Sequence, residues 1–231
     1  MTTDRRWWDA ALAVLGLFLP VACTGCGAAD RALCPACRHT LEAAPRRVRL
    51  VAGFRLDAAF EYTGLVRALV LELKLRGRVD LARPLGSRFG ALVLAALAEA
   101  PAGTVLLRVP PSRQGARRRG FDPVVLLLAR GGVRRPRALV RVRRGAGPGG
   151  RGAGGTVLGV ASRGGGQKER TAVERVEATV GSLRATGVAD RDVVVVDDVV
   201  TTGVTMAEAV RAVRAGGGRV FRCVAVASVD D

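Results

Sequence analysis

The stretch VVVVDDVVTTGVT, residues 193–205, places two carboxylates before a loop rich in hydroxyl groups and glycine. Four consecutive valines predict a strand buried on both faces, and the apolar spacing of the following MAEAVRAVRAG predicts a helix that ends at Gly216. Asp197 and Asp198 are therefore expected where the strand runs out. In open α/β sheets, ligands bind at this carboxyl end, and a helix N-terminus offers unpaired amide groups to an anion.

The loop suits a phosphate, whereas the acidic pair suits hydroxyl groups. Gly203 lets the backbone approach phosphate oxygens, and Thr201, Thr202 and Thr205 add hydroxyl donors. The two aspartates would repel a phosphate, but they can hold hydroxyls, or hydroxyls shared with a divalent cation. A phosphorylated ribose has a phosphate at one end and a vicinal diol at the other, so the pattern predicts such a ligand.

Other interpretations of an acidic strand end fit less well. A nucleotide-hydrolysing domain also has a strand that ends in aspartate, but it needs a GxxxxGK[ST] loop, and Lys74 and Lys168, the only lysines, lie outside such a motif. A response-regulator pocket would gather acids from several strands and a lysine. A buried strand followed by a polar helix cap, without any ligand, remains the plain alternative.

The composition indicates a globular protein with a strongly basic balance. A chain of 231 residues with 49% hydrophobic content has room for one α/β domain and a small appendage. The formal net charge of +17 suggests a polyanionic partner. Only two of the 37 basic residues are lysine, however, so a GC-rich coding sequence explains much of the excess. The charge alone does not establish nucleic-acid binding.

Two CxxC pairs, CTGC and CPAC, follow the N-terminal segment. Cys23, Cys26, Cys34 and Cys37 have the spacing of a closed tetrahedral zinc site, which would be structural because it leaves no open position. Iron needs the same ligands, and two disulfides are a further alternative. His39, the only histidine, is expected to be an exposed neighbour.

The first twenty-two residues have two interpretations. An apolar run over residues 10–22 after Arg5 and Arg6 is similar to a secretory signal with Cys23 as a lipid-modified cysteine. Helical spacing of the leucines and the immediate start of the cysteine pattern favour a helix instead. The run is also shorter than the roughly 20 residues that span a bilayer. We therefore expect a cytoplasmic protein without membrane insertion.

The remaining sequence predicts alternating strands and helices. Two strands in RLVAGFRLDAAFEYTG precede helices in GLVRALVLELKLRGR and DLARPLGSRFGALVLAALAEA. Next, TVLLRVPPSRQGARRRGFDPVVLLLA predicts a strand, a basic loop and a helix, and ALVRVR a further strand. Glycine dominates residues 145–166, where a mobile loop is expected, and QKERTAVERVEATVGSL predicts a helix. Cys223 is expected in a buried strand.

Together these motifs resemble the ComF family, in which a four-cysteine zinc finger is joined to a phosphoribosyltransferase domain. The resemblance rests on FLPVACTGCG with CPAC, on YTGLVRALVLELKLRGR, on VPPSRQGARRRGFDP and on the final VVVVDDVVTTGVT, which is similar to the phosphoribosyl pyrophosphate fingerprint of type I phosphoribosyltransferases. It implies an α/β fold with a parallel sheet and helices on both faces. The expected division is residues 1–45 for an N-terminal helix and zinc finger, and 46–231 for the phosphoribosyltransferase-like domain.

The resemblance also implies roles for individual residues. Asp197 and Asp198 would hold the ribose hydroxyls, with Mg²⁺ bridging them to pyrophosphate. The loop of residues 201–205 would hold the 5-phosphate, and Val199 and Val200 are also expected among the cofactor-binding residues. Lys74, Arg113 or Arg119 would stabilise the leaving group. The positions that match the family's motifs are Tyr62, Gly64, Arg67, Lys74, Gly77, Arg119, Gly120 and Phe121. Ala178 and Asp122 stand where the family often has asparagine, and these departures put the acceptor side in doubt.

Three functions follow as hypotheses. The first is an enzyme that transfers the phosphoribosyl group to an unidentified base. The second is a protein that handles single-stranded DNA during natural competence, with competence-machinery partners, although an aromatic content of 4% argues against a base-stacking platform. The third is a regulatory protein that binds the ligand without turnover.

Overall fold

The structure, a computed structural model, describes residues 21–29, 31–134, 136–141 and 179–229. The predicted N-terminal helix, the glycine-rich segment at 145–166 and most of the helix predicted in QKERTAVERVEATVGSL lie outside these residues. The described part of the chain begins with two cysteine-bearing turns and helix α1 (Pro35–Ala43), followed by strands β1 (Arg47–Val51) and β2 (Phe54–Glu61). Ala52 and Gly53 both have positive φ, 51° and 80°, which gives the hairpin a turn that matches the strand twist.

Two helices connect the hairpin to the next strand. Helix α2 (Gly64–Arg76) ends at Gly77, whose left-handed conformation closes the last turn. A short 3-10 turn leads into α3 (Ala82–Glu99). Judged only by length and composition, this helical segment could cross a membrane. Leu85, Phe89 and Val93 are completely buried in the core under the sheet, so α3 packs as a core helix.

The second half of the chain completes the sheet. Its elements are β3 (Val105–Arg108), the short helix α4 (Arg113–Arg119), α5 (Pro123–Arg130), β4 (Arg137–Ala138), β5 (Val140–Arg141), β6 (Leu183–Arg184), β7 (Asp192–Val200), α6 (Val204–Ala215) and β8 (Arg219–Ser228). The predicted basic loop is therefore partly helical, and the strand predicted in ALVRVR is divided into β4 and β5, which belong to different sheets.

The main sheet has six strands in the order β1-β2-β8-β7-β3-β4 and is parallel apart from the antiparallel β1–β2 pair. Val194 and Val196 enter the core on one face, with Phe89, whereas Val193 and Val195 enter the core on the other face, with Val213. The four consecutive valines of β7, residues 193–196, are completely buried, which confirms the prediction of a strand covered on both faces. The predicted α/β fold with a mainly parallel sheet is likewise confirmed.

The cysteine-bearing turns pack directly on the sheet domain. Cys23, Leu33, Cys34 and Leu41 belong to the same buried cluster as Leu69 of α2 and Phe89 of α3. The N-terminal module therefore shares its hydrophobic core with the sheet domain. The division at residue 45 stays a prediction about folding units.

Candidate functional site

Strand β7 extends further than the sequence predicted, and this extension shapes the site. Asp197 and Asp198 lie inside the strand, because β8 continues to pair with it as far as Val200. On the other side, β3 ends at Arg108, opposite Val196. The expectation that the aspartates follow the end of the strand was therefore wrong by a few residues. They lie beside the gap that opens beyond β3.

The two carboxylates differ in environment. Asp197 is 9% exposed, and its Oδ1 accepts a hydrogen bond from the Asp198 amide at 2.8 Å. Burial, followed by the negative charge of Asp198, raises the pKa of Asp197 well above its usual range. Asp198 is more accessible, and its Oδ2 lies 2.8 Å from Lys74 Nζ. Lys74 comes from the last turn of α2, so the ion pair joins two elements far apart in sequence.

Residues after the acidic pair form a tight loop that leads into α6. A small cavity of about 30 Å³, the loop cavity, is lined by Asp197 and by residues 199–206. Gly203 is the N-cap of α6 and has φ 76°, and no side chain caps this helix in the part of the chain described here. The first amide groups of α6 are therefore free to bind an anion.

Strand β1 supports this loop from the edge of the sheet. Arg49 donates a hydrogen bond from Nη2 to the Thr201 carbonyl at 2.5 Å. A Cβ at Gly203 would lie 3.1 Å from Val51 Cγ1, so glycine is needed there for packing as well as for its φ. The role of Arg49 could not be predicted from the sequence. Its contact with Thr201 joins residues 152 positions apart, and no local pattern indicates it.

A cavity of about 200 Å³, the central cavity, contains the acidic pair. It is lined by Lys74, Arg119, Arg141, Thr205, residues 109–112, residues 122–124 and residues 197–199. Arg141 stabilises the part of the lining formed by Pro110 and Pro111. It donates hydrogen bonds to the carbonyl groups of Pro111 at 3.1 Å and Pro110 at 2.9 Å. The structure thus brings Lys74, Arg119, Asp197 and Asp198 to one cavity, with Thr205 linking it to the loop cavity.

The other predicted site residues lie near this cavity. Val199 and Val200 end β7, Thr201 and Thr202 are exposed on the loop, and Val204 opens α6. The backbone of Arg113 begins α4, at the mouth of the cavity beside Ser112. The position of Val199 at both cavities reflects its place between the acidic pair and the loop.

Asp122, one of the departures from the family pattern, has two structural partners. Its Oδ1 accepts hydrogen bonds from the amides of Val124 and Val125 at 3.0 and 3.3 Å, which caps α5. Its Oδ2 pairs with Arg108 at the end of β3. Both side chains of this pair are less than one-sixth exposed, so the interaction is shielded from water.

Beyond Lys74 lies a larger cavity, the basic cavity, of about 510 Å³. It is formed by residues 74–77 at the end of α2 and by Ser112, Gln114, Gly115, Arg118 and Arg119 around α4. Lys74, Ser112 and Arg119 line both the central and the basic cavity. The loop, central and basic cavities therefore follow one another along the carboxyl edge of the sheet.

The four predicted metal ligands lie close together near the N-terminal end of the described residues. The Sγ atoms of Cys23, Cys26, Cys34 and Cys37 all lie within 4.8 Å of one another, and none of them forms a disulfide. Tetrahedral zinc at about 2.3 Å from each sulfur requires sulfurs about 3.8 Å apart. A Cβ at Gly25 would lie 2.6 Å from Cys37 Sγ, so glycine lets the first turn close on the cluster. His39 is exposed, as expected.

The charge balance of the four-cysteine cluster favours a bound cation. Burial opposes ionisation of Cys23, but the backbone amide groups around its sulfur outweigh burial and lower its pKa to about 6. The neighbouring sulfur of Cys34, followed by burial, raises the pKa of Cys37 to about 12. A cation bound between the sulfurs would favour the thiolate form of all four, because it would offset their mutual repulsion. Cys223 is separate from the cluster and buried in β8, as predicted.

A comparison with known protein families indicates the class of protein to which this site belongs. The family model of the phosphoribosyl transferase domain matches residues 117–230, which include the acidic pair, the loop and α6. The second half of the chain is therefore similar to a phosphoribosyl transferase domain, and this similarity supports a function of the phosphoribosyltransferase type. A search of curated proteins found no match. The matched region leaves out Lys74 and Arg49, which the fold brings to the site from the preceding half of the chain.

Proposed function

We propose that this protein binds phosphoribosyl pyrophosphate with Mg²⁺ and transfers the phosphoribosyl group to an acceptor. One observation carries the proposal: an acidic pair, of which Asp197 is buried, and an uncapped helix N-terminus line adjoining cavities in a region similar to a phosphoribosyl transferase domain. The spacing of these features suits the diol and the 5-phosphate of one ribose. Val199 and Val200 provide the short connection between them.

The reaction would displace pyrophosphate from C1 of the ribose. The bond between C1 and the pyrophosphate oxygen breaks, a bond from an acceptor nitrogen to C1 forms, and the acceptor loses a proton. Because positive charge develops at C1, a fixed ribose and a neutralised leaving group lower the barrier. Asp197 and Asp198 would orient the hydroxyls, and Lys74, Arg113 or Arg119 would stabilise the pyrophosphate.

The carboxylate oxygens of Asp197 and Asp198 are of the kind that Mg²⁺ prefers in proteins. Bound there with the ribose hydroxyls, Mg²⁺ would supply charge neutralisation for the pyrophosphate. Lys74 would shift from its contact with Asp198 toward the leaving group as the ligand enters. In the free protein Lys74 balances the charge of Asp198, a role that Mg²⁺ would take when the ligand is bound.

For the cysteine cluster, we propose structural Zn²⁺. Its four sulfurs leave no position open for a substrate, and its residues are continuous with the buried core. We also propose that the chain is a cytoplasmic member of the ComF family. The ComF assignment rests on the order of the sequence motifs, because the matched family model describes the phosphoribosyl transferase domain alone.

The net charge of +17 and the cationic lining of the basic cavity favour a second candidate, a non-catalytic role in handling single-stranded DNA with the competence machinery. Turnover separates it from the first. The parent protein is incubated with phosphoribosyl pyrophosphate, Mg²⁺ and a panel of bases, and pyrophosphate release is measured. Release of pyrophosphate with one base supports the enzyme. Binding of phosphoribosyl pyrophosphate without release supports a non-catalytic role, either in DNA handling or in regulation.

The site itself is tested by calorimetry on a double variant, Asp197→Asn with Asp198→Asn. This change keeps side-chain size and some hydrogen bonding but removes two charges. Affinity for phosphoribosyl pyrophosphate should fall and lose its dependence on Mg²⁺. If the folded double variant binds phosphoribosyl pyrophosphate as well as the parent does, the acidic pair is only part of a strand.

A further inference from the structure

A chain of polar contacts joins the two helices that face the proposed ligand. Helix α6 begins at the loop for the 5-phosphate, and α4 carries Arg113 and Arg119 on the pyrophosphate side. The two-stranded sheet of β5 and β6, the small sheet, lies between these helices, because β6 contacts α6 and β5 contacts the segment that leads into α4. The small sheet therefore connects two helices that act on opposite ends of one ligand.

Side chains of α6 hold the small sheet at Leu183 of β6. Glu208 is 3% exposed, and its Oε1 accepts a hydrogen bond from the Leu183 amide at 2.9 Å. Arg211 donates to the Leu183 carbonyl at 2.9 Å and pairs with Glu208 at 2.6 Å. Burial opposes ionisation of Glu208, but the hydrogen bonds from Arg211 and from the backbone outweigh burial and lower the pKa of Glu208. Moving Leu183 away would take a partner from a buried carboxylate, so β6 is held firmly on α6.

Strand β5 continues these contacts to the segment before α4. Arg141 is the register partner of Leu183 in the small sheet. Its Nε donates to the Pro111 carbonyl at 3.1 Å, and its Nη2 donates to the Pro110 carbonyl at 2.9 Å. Because the guanidinium is planar and its donors have a fixed geometry, two such bonds set the direction of the segment as well as its position.

The two prolines make the segment before α4 stiff. Strand β3 ends at Arg108, so residues 109–112 extend beyond it. Each proline ring fixes φ at about −65° and removes the backbone N–H, so the carbonyl groups are the backbone sites at which these residues can be held. Ser112 follows directly and caps α4, accepting a hydrogen bond from the Gly115 amide at 3.1 Å. A shift of the two carbonyl groups would therefore move the start of α4.

We propose that Arg141 is a positioning residue that sets the distance between the 5-phosphate loop and α4. It acts through Leu183 and α6 on one side, and through Pro110 and Pro111 on the other. The inference rests on the proposed function, because it requires phosphoribosyl pyrophosphate to extend from the loop to α4. A ligand with two charged ends gains from holding both only when the two subsites lie at the matching distance. Arg141 should therefore affect the affinity of the whole ligand much more than that of either end.

Calorimetry on the full chain with Mg²⁺ compares three ligands: ribose 5-phosphate, inorganic pyrophosphate and phosphoribosyl pyrophosphate. The parent should bind the whole ligand about a hundredfold more tightly than either end, or better. Arg141→Met removes both donors and keeps a long side chain. It should weaken phosphoribosyl pyrophosphate about tenfold and change each end by less than about twofold, because each end keeps its own contacts. Arg141→Lys, which can still donate to one carbonyl, should recover part of the loss.

Two further variants make the result specific. Arg184→Met is the matched control, since Arg184 is exposed on β6, pairs with Val140 in the same small sheet and loses the same charge. It should change none of the three affinities. Glu208→Gln weakens the connection from α6 while keeping an oxygen for the Leu183 amide, and it should weaken phosphoribosyl pyrophosphate about three- to tenfold with both ends unchanged. Thermal unfolding checks that each variant is folded, and Glu208→Gln tests the connection even if Arg141→Met does not fold.

Three results would overturn the inference. If Arg141→Met weakens pyrophosphate as much as phosphoribosyl pyrophosphate, Arg141 contacts the leaving group directly and does not act through α4. If all three ligands weaken equally, the variant has damaged the site as a whole. If phosphoribosyl pyrophosphate binds unchanged to folded Arg141→Met, or to folded Glu208→Gln, the small sheet does not set the distance. Failure of the parent to bind phosphoribosyl pyrophosphate would instead count against the proposed function.

Discussion

Asp197 is the residue at which stability and ligand binding should change in opposite directions. Its carboxylate is 9% exposed and lies beside Asp198, and burial together with that neighbouring charge raises its pKa well above the usual range. The folded protein therefore contains a negative charge that the fold itself disfavours. We predict that Asp197→Asn stabilises the unliganded protein and weakens its binding of phosphoribosyl pyrophosphate.

The size of the stability change follows from the charges around Asp197. Asparagine keeps an oxygen that can accept the Asp198 amide, which lies 2.8 Å from the carboxylate. Burial of the carboxylate and its repulsion by Asp198 both disfavour the ionised form, and asparagine removes both effects. Lys74, 2.8 Å from Asp198, offsets part of this. We expect the free energy of unfolding to rise by about 1–3 kcal/mol, or about 2–4 °C in Tm for each kcal/mol.

The pH dependence has a definite sign. Because the folded pKa of Asp197 lies above the unfolded value, the folded state binds more protons between the two values. The stability of the parent should therefore fall as pH rises from about 4 through the folded pKa, and then level off. Asp197→Asn removes this dependence, so the advantage of the variant should be small at the acidic end and full above the folded pKa.

Urea unfolding of the parent and variant across this pH range measures the difference. Titration with phosphoribosyl pyrophosphate and Mg²⁺ measures binding, which should weaken about tenfold or more as charged hydrogen bonds to the diol are lost. Asp198→Asn is the comparison: it also removes the repulsion between the two carboxylates, but it leaves Lys74 without its partner, so its stabilisation should be smaller. A variant that is less stable than the parent, or that binds equally well, would refute the reasoning.

Three further predictions concern the metal, the loop and the surface charge. Protein purified without added metal should contain about one zinc per chain, and Cys23→Ser should lower both zinc content and stability; a metal-free parent with two disulfides would contradict this. Gly203→Ala should cost about 1–2 kcal/mol of stability and weaken ribose 5-phosphate, whereas Gly217→Ala, with φ 78°, should cost a similar amount of stability alone. Single-stranded DNA binding should weaken with salt, with a slope of about 0.7 per phosphate contact; a flat response would exclude a phosphate track.

The strongest sequence patterns predicted the elements that carry the site. A run of four valines could be assigned to a doubly covered parallel strand because no other environment in a globular protein accommodates it as well. The spacing of the cysteines likewise predicted a cluster, since each CxxC turn brings two sulfurs together. In both cases the information lies within a few consecutive residues.

Contacts between distant elements could not be predicted in the same way. The end of β7 depends on its pairing with β8, which continues to Val200, and no signal near Asp197 records this. Arg49 reaches Thr201 only because β1 lies at the sheet edge next to the loop. The basic segment formed the short helix α4 because Ser112 caps it and Gly120 closes it, two local signals that its arginine content obscured.

Asp122 shows why a departure from a family pattern needs the structure before it is interpreted. From the sequence, aspartate in place of asparagine put the acceptor side in doubt. In the fold, Asp122 pairs with Arg108, fourteen residues earlier, and caps α5 with its other oxygen. Asparagine could keep the cap but would leave the shielded charge of Arg108 without a counter-charge. The aspartate therefore balances the charge of Arg108 and caps α5, so this departure from the family pattern has a structural reason of its own.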